Sequence, residues 1–137
     1  MAYDKANWHS SGEFPADSPE AYGGTHIGLY LRDCFIQGWA GEIHTDEEPD
    51  AVASVVQGEM SGTEFLYKYC DGKFTDEDLN DEGNAFTAEY YGENGRFLGD
   101  YQREFADHVY LSPESAHDFV RFTRMIDERR ASGDLTE

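Results

Sequence analysis

Glycines at positions 38, 58, 72 and 92 cut the middle of this chain into stretches of fewer than twenty residues, each ending where a helix would stop. A helix closes readily on glycine because the left-handed turn that ends it costs glycine nothing. No apolar run approaches the roughly 18–20 residues that span a bilayer. What remains possible is a set of short helices, each too weak alone and each dependent on packing.

The apolar residues fall in register with that reading. Ile27, Tyr30, Leu31, Cys34 and Phe35 repeat at helical spacing, predicting a helix from about Thr25 to Gln37 that stops at Gly38. Thr45 and Glu48 have capping-box spacing, although Pro49 suits a start nearer Glu48, and Val52, Val55 and Val56 follow on one face. Ser61 and Glu64 repeat the capping spacing ahead of Phe65, Tyr69 and Cys70. Thr75 can cap the acidic turn at 76–81, and a short helix is expected over 84–91. Phe97, Tyr101 and Phe105 are four apart, with Gly99 as a weak point. Ser112-Pro113 reads as a cap before a last helix carrying Ala116, Phe119, Val120, Thr123 and Ile126 to about Arg130. Extended structure is expected only near Lys73–Phe74 and His108–Leu111. Residues 1–24, punctuated by Gly12, Pro15, Pro19, Gly23 and Gly24, predict an irregular arm held to the core by Tyr3, Trp8, Phe14 and Tyr22. Residues 131–137 read as a disordered tail. The expectation is a mainly α, single compact domain of five to seven short helices with an extended N-terminal arm.

With 137 residues, 39% of them hydrophobic and 15% aromatic, the chain has the material for one aromatic-rich core and is too apolar to be disordered. Its charge is unusual. The net charge is −19, and the 52 residues from Glu42 to Glu93 hold fifteen acids against two bases, Lys68 and Lys73. Four of the ten bases, Arg121, Arg124, Arg129 and Arg130, lie instead in the last helix. Nucleic acid and anionic membrane surfaces are repelled by such a chain, whereas a basic protein is steered onto it. Acid also keeps a protein soluble with no further purpose, and carboxylates at helix starts are favoured by the helix dipole.

Two acidic clusters are the candidate partner-binding residues: Asp46, Glu47, Glu48 and Asp50, and then Asp76, Glu77, Asp78, Asp81 and Glu82. Tyr67, Tyr90 and Tyr91 are aromatic anchors beside them. Acid with exposed aromatic rings is how a small inhibitor plugs a basic cleft.

Other chemistry finds weaker footing. Asp78, Asn80, Glu82, Gly83, Asn84 and Glu89 fall at the spacing of a calcium-binding EF-hand loop, in which alternate oxygens converge and glycine permits the turn. Glu82 and Ala85 depart from that pattern, and Gly72 and Gly92 break both flanking helices. His9 and His26 could meet carboxylates such as Asp4 or Glu20 as metal ligands. No histidine stands at short metal-ligand spacing from another histidine or from a cysteine. No nucleophile elbow or phosphate loop is present. The sequence assigns no catalytic residue, metal ligand or cofactor. Cys34 and Cys70 read as small buried hydrophobes and not as a disulfide pair, and without a basic and apolar leader the cytoplasm is the expected location.

The blocks Tyr3-Asp4-x-Ala6-x-Trp8-His9, Gly12-x-Phe14-Pro15 and Thr25-His26-Ile27-Gly28 carry a resemblance, as do Tyr69-Cys70-Asp71-Gly72-Lys73 and the run from Asp78 to Phe86. Together they resemble an uncharacterised bacterial family of small acidic proteins, over most of the chain from Tyr3 to about Ile126. The resemblance implies a bacterial cytoplasmic origin and no particular activity.

These readings converge on a binding protein whose acidic surface meets a basic partner protein, most concretely an immunity-type inhibitor of a toxin. A metal-binding protein or metal-dependent enzyme with His and carboxylate ligands is the alternative, and a structural or adaptor subunit a third.

Overall fold

The computed structural model describes residues 2–5, 24–92, 94–105 and 115–136. The expected extended segment His108–Leu111, the Ser112-Pro113 cap, and His9, Trp8, Phe14, Glu20 and Tyr22 lie outside them. Seven α-helices and a two-stranded sheet make up the described residues. They are β1 (Ala2–Lys5), α1 (Thr25–Ile36), α2 (Glu42–Glu47), α3 (Pro49–Gln57), α4 (Gly62–Tyr69), β2 (Lys73–Thr75), α5 (Asp81–Tyr90), α6 (Phe97–Glu104) and α7 (Ala116–Ser132). A 3₁₀ turn, Asp76–Asp78, joins β2 to α5.

Helix α1 is the axis of the fold, with ten of its twelve residues buried, and it packs against α3, α4 and α7. Its closest neighbour is α4. A Cβ on Gly62 would sit 1.9 Å from the Gly28 carbonyl oxygen, and one on Gly28 would sit 2.3 Å from the Thr63 nitrogen. Two helices cross here at backbone contact, which only glycine allows at both positions. Tyr30, from the middle of α1, meets Phe74, Tyr91 and Phe97 with ring centroids 5.0–5.7 Å apart, and its hydroxyl lies 2.9 Å from Thr87 Oγ1. The edge-on and offset contacts are the arrangements that aromatic quadrupoles favour.

Gly38, Gly58 and Gly72 take positive φ as predicted, although after α4 the chain turns left-handed first at Asp71, and Gly92 does not take positive φ. Ser61 caps α4 by accepting from the Glu64 backbone N–H at 3.0 Å. The Thr45–Glu48 spacing does not cap a helix. Residues 42–47 already form α2, and Pro49, which has no N–H to give, restarts the chain as the first residue of α3. Helix α3 turns Ala51 and Val55 inward and leaves Val56 37% exposed, so its apolar face is shifted from the expected valine row. In α7 the inward residues are Phe119, Phe122 and Ile126, while Val120 is exposed. Ser115 caps that helix, which runs past Arg130 to Ser132, and Thr136 bridges to Gly95.

The first residues of the expected arm are a strand. β1 pairs antiparallel with β2 through Asp4–Phe74 and Lys5–Lys73, and Tyr3 donates its hydroxyl hydrogen to Asn84 Oδ1 at 2.6 Å. At the far end, Asp100 of α6 accepts from Nη2 and Nε of Arg129 on α7 at 2.8 and 2.9 Å and from the Tyr90 hydroxyl at 2.7 Å. Burial opposes ionisation of Asp100, but these bonds outweigh it and hold its carboxyl below the usual value.

Candidate functional site

The acidic segments α2 and Asp76–Asp78 are far apart in sequence and packed together in space. Gly41, at the start of α2, donates its N–H to the Asp78 carbonyl at 2.9 Å, and a Cβ there would sit 2.3 Å from the Glu77 carbonyl oxygen. Glycine is what lets the two backbones touch.

His44 closes the junction from inside. It projects from α2 onto Phe65, at a centroid distance of 5.0 Å, and is 2% exposed. Its Nδ1 faces Glu48 Oε1 one helical turn on, and its Nε2 lies 2.7 Å from Asp78 Oδ1. Burial alone would lower the histidine's pKa, but hydrogen bonds to Asp78 and Glu48 on its two ring nitrogens outweigh that and raise it. A ring that donates from both nitrogens is an imidazolium. The remaining oxygen of Asp78 accepts from the Thr75 N–H at 2.7 Å, which fixes the carboxylate with Oδ1 aimed at His44.

Cys70 completes the group from the C-terminal end of α4. Its Sγ is 3.5 Å from Asp78 Oδ1 and 3.8 Å from His44 Nε2. Cysteine, histidine and glutamate thus stand in the order of a nucleophilic triad, but the electrostatics are those of an inert thiol. Burial pushes the Cys70 thiol far above its usual pKa, and the carboxylates of Asp78 and Glu48 push the same way. The His44 imidazolium is already offset by those two carboxylates, so a thiolate here needs a further cation.

The structure sorts the candidate partner-binding residues into two groups. Asp46, Glu47, Asp50, Asp76, Glu77, Asp81 and Glu82 are exposed. Glu48 is half-buried against His44, and Asp78 is buried beneath the surface it was expected to decorate. Glu42, Ile43, Glu77, Leu79, Asn80 and Asp81 line a surface notch of about 550 Å³ between the two segments. Of the three tyrosines expected beside the acids only Tyr67 is exposed; Tyr90 and Tyr91 belong to the aromatic core.

The EF-hand spacing does not correspond to a loop. Residues 81–90 are continuous helix, Asn80 caps it by accepting from the Gly83 N–H at 2.9 Å, and Asp78 turns inward to His44. Gly83 is there for packing, because a Cβ would meet Trp39 Cβ at 2.8 Å. Asp4 and His26 do come together, with Asp4 Oδ2 lying 3.0 Å from His26 Nε2 and 2.5 Å from the Tyr91 hydroxyl. That group ties β1 to α1 and to the end of α5, a structural duty. Among the described residues, three potential metal donors converge at His44, Cys70 and Asp78. Sequence reasoning passed over His44 and took Cys70 for a buried hydrophobe, because 26 and 34 residues separate the partners and no short spacing marks them. The one local signal was His44 with Glu48 at i, i+4.

No helix among the described residues is long and apolar enough to cross a membrane. No curated protein and no solved structure matches the chain. The family described as Domain of unknown function (DUF7832) matches residues 2–119, so this chain belongs to that family.

Proposed function

We propose that the domain is a protein-binding module whose acidic surface receives a basic partner protein, most concretely an immunity-type inhibitor that neutralises a basic toxin in the cytoplasm. The observation that carries this reading is the junction of α2 with the 76–78 turn, which sets Glu42, Glu77 and Asp81 around one notch with exposed Ile43 and buried Leu79 at its wall. A lysine or arginine has the complementary shape, with an apolar stem for the wall and a cationic head for the carboxylates. The exposed Asp46, Glu47, Asp50, Asp76 and Glu82 extend the negative field around that notch and would steer a cationic protein towards it.

The experiment is affinity capture from cells of the source organism with the full chain as bait, at low and high salt, with mass-spectrometric readout. A basic protein captured at low salt and lost at high salt supports the reading. Capture unaffected by salt, or no cationic protein retained, overturns it.

A further inference from the structure

From the convergence of His44, Cys70 and Asp78 we infer that these side chains form a binding site for a divalent transition metal of the zinc class, with Glu48 as the carboxylate behind the histidine. This inference stands apart from the acidic-surface reading. Three elements supply the donors: α2 gives an imidazole nitrogen, the end of α4 a sulfur, and the 3₁₀ turn a carboxylate oxygen.

The spacing suits a small tetrahedral ion. With metal–ligand bonds of about 2.0–2.3 Å, neighbouring ligand atoms in such a site are about 3.3–3.6 Å apart. Sulfur stands at that separation from Asp78 Oδ1, 3.5 Å, and a little beyond it from His44 Nε2, 3.8 Å. The nitrogen–oxygen pair, hydrogen-bonded at 2.7 Å, must open to admit the ion, and the sulfur–nitrogen pair must close by a few tenths of an ångström. One thiol, one imidazole and one carboxylate select zinc, cobalt or nickel over calcium or magnesium, which take oxygen ligands.

The surroundings are those that orient metal ligands. Glu48 takes the ring nitrogen of His44 that would not bind metal, and the Thr75 N–H takes the second oxygen of Asp78. Loading the site replaces the Nε2 proton of His44 and the Sγ proton of Cys70, so two protons leave as one dication enters. The ion would supply the positive charge that the Asp78 and Glu48 carboxylates need once the histidine is neutral. Three protein donors leave a fourth position for water.

The test is titration of the chelator-treated full chain with Co²⁺, followed by its absorption spectrum and by competition with Zn²⁺. The expected result is one equivalent bound, with a thiolate-to-cobalt charge-transfer band in the near ultraviolet that Zn²⁺ abolishes. Cys34→Ser leaves Cys70 as the sole thiol and should keep the band, whereas Cys70→Ser should lose it. Glu48→Gln should keep the band and weaken binding by about 10–100-fold. Cobalt held only by surface carboxylates would give no thiolate band, and that outcome overturns the assignment. Loss of the band in folded Cys34→Ser, or its persistence in Cys70→Ser, does the same. Should Cys70→Ser fail to fold, the spectrum of Cys34→Ser decides alone.

Discussion

Nε2 of His44 lies 2.7 Å from Oδ1 of Asp78, and this contact joins the two acidic segments from within. An imidazolium between Asp78 and Glu48 offsets two carboxylates that would otherwise face each other in a half-dry site. Removing one partner of such a group leaves uncompensated charge, which costs about 3–5 kcal/mol in buried settings. Because Glu48 is partly solvated, His44→Ala should lower unfolding stability at neutral pH by about 3 kcal/mol in urea denaturation. A loss below about 1 kcal/mol would show that the pair is incidental.

Two glycine substitutions should act with opposite sign. Gly62→Ala drives a methyl into the Gly28 carbonyl at 1.9 Å and must push α4 away from α1. Overpacking of this kind costs about 1–3 kcal/mol or more. Gly99→Ala, within α6, meets nothing within 4 Å and should gain about 0.5–1 kcal/mol from helix propensity alone. Thermal melts of the two variants beside the wild type check both.

Asp100 joins three helices, accepting from Tyr90 on α5 and Arg129 on α7. Asp100→Asn keeps the size but loses the charge-assisted fork. With Arg129 20% exposed at its side chain, the expected loss is about 2 kcal/mol in chemical denaturation. An unchanged midpoint would mean that solvent replaces the fork at no cost.

Asp33 sets a pH dependence. Burial, with help from Asp127 across on α7 and against the pull of Arg130, raises its pKa from 3.8 to about 7. Between those values the folded chain holds a proton that the unfolded chain has released, so this group's contribution falls as pH rises from about 4 to 7 and stays low above. Asp33→Asn removes the titration. Relative to wild type, it should be more stable at pH 8 than at pH 4 by on the order of 3 kcal/mol. Parallel curves across that range would contradict the assignment.

The helices with plain punctuation were legible in the sequence. Thr25–Ile36 and Gly62–Tyr69 stand where their apolar spacing, their glycine stops and, for the second, the Ser61 cap put them. What the sequence hid was tertiary. Val56 and Val120 belong to apolar rows by spacing, yet they point outward because neighbouring helices select Ala51, beside the expected Val55, and Phe122 instead. Tyr90 and Tyr91 look like surface anchors among acids, but tyrosine can bury its ring and bond its hydroxyl, here to Asp100 and Asp4.

The candidate site shows the same division. The exposed acids were visible as composition, since charge needs no partner to be counted. The role of Asp78 was invisible, because a carboxylate at a turn looks the same whether it meets water or a histidine 34 residues away. Cys70 passed for a core residue for the same reason; its neighbours come from two other elements.

The most direct measurement of the central claim is paired affinity capture at low salt, with wild-type chain and an Asp46→Asn, Glu47→Gln, Asp76→Asn, Glu77→Gln variant as baits. These four residues are exposed, so the fold should survive the change, and circular dichroism would verify it. A basic protein should be retained by the wild type and depleted at least tenfold on the variant, about 1.4 kcal/mol of binding or more. Equal retention by both baits would place the binding surface elsewhere and contradict the account.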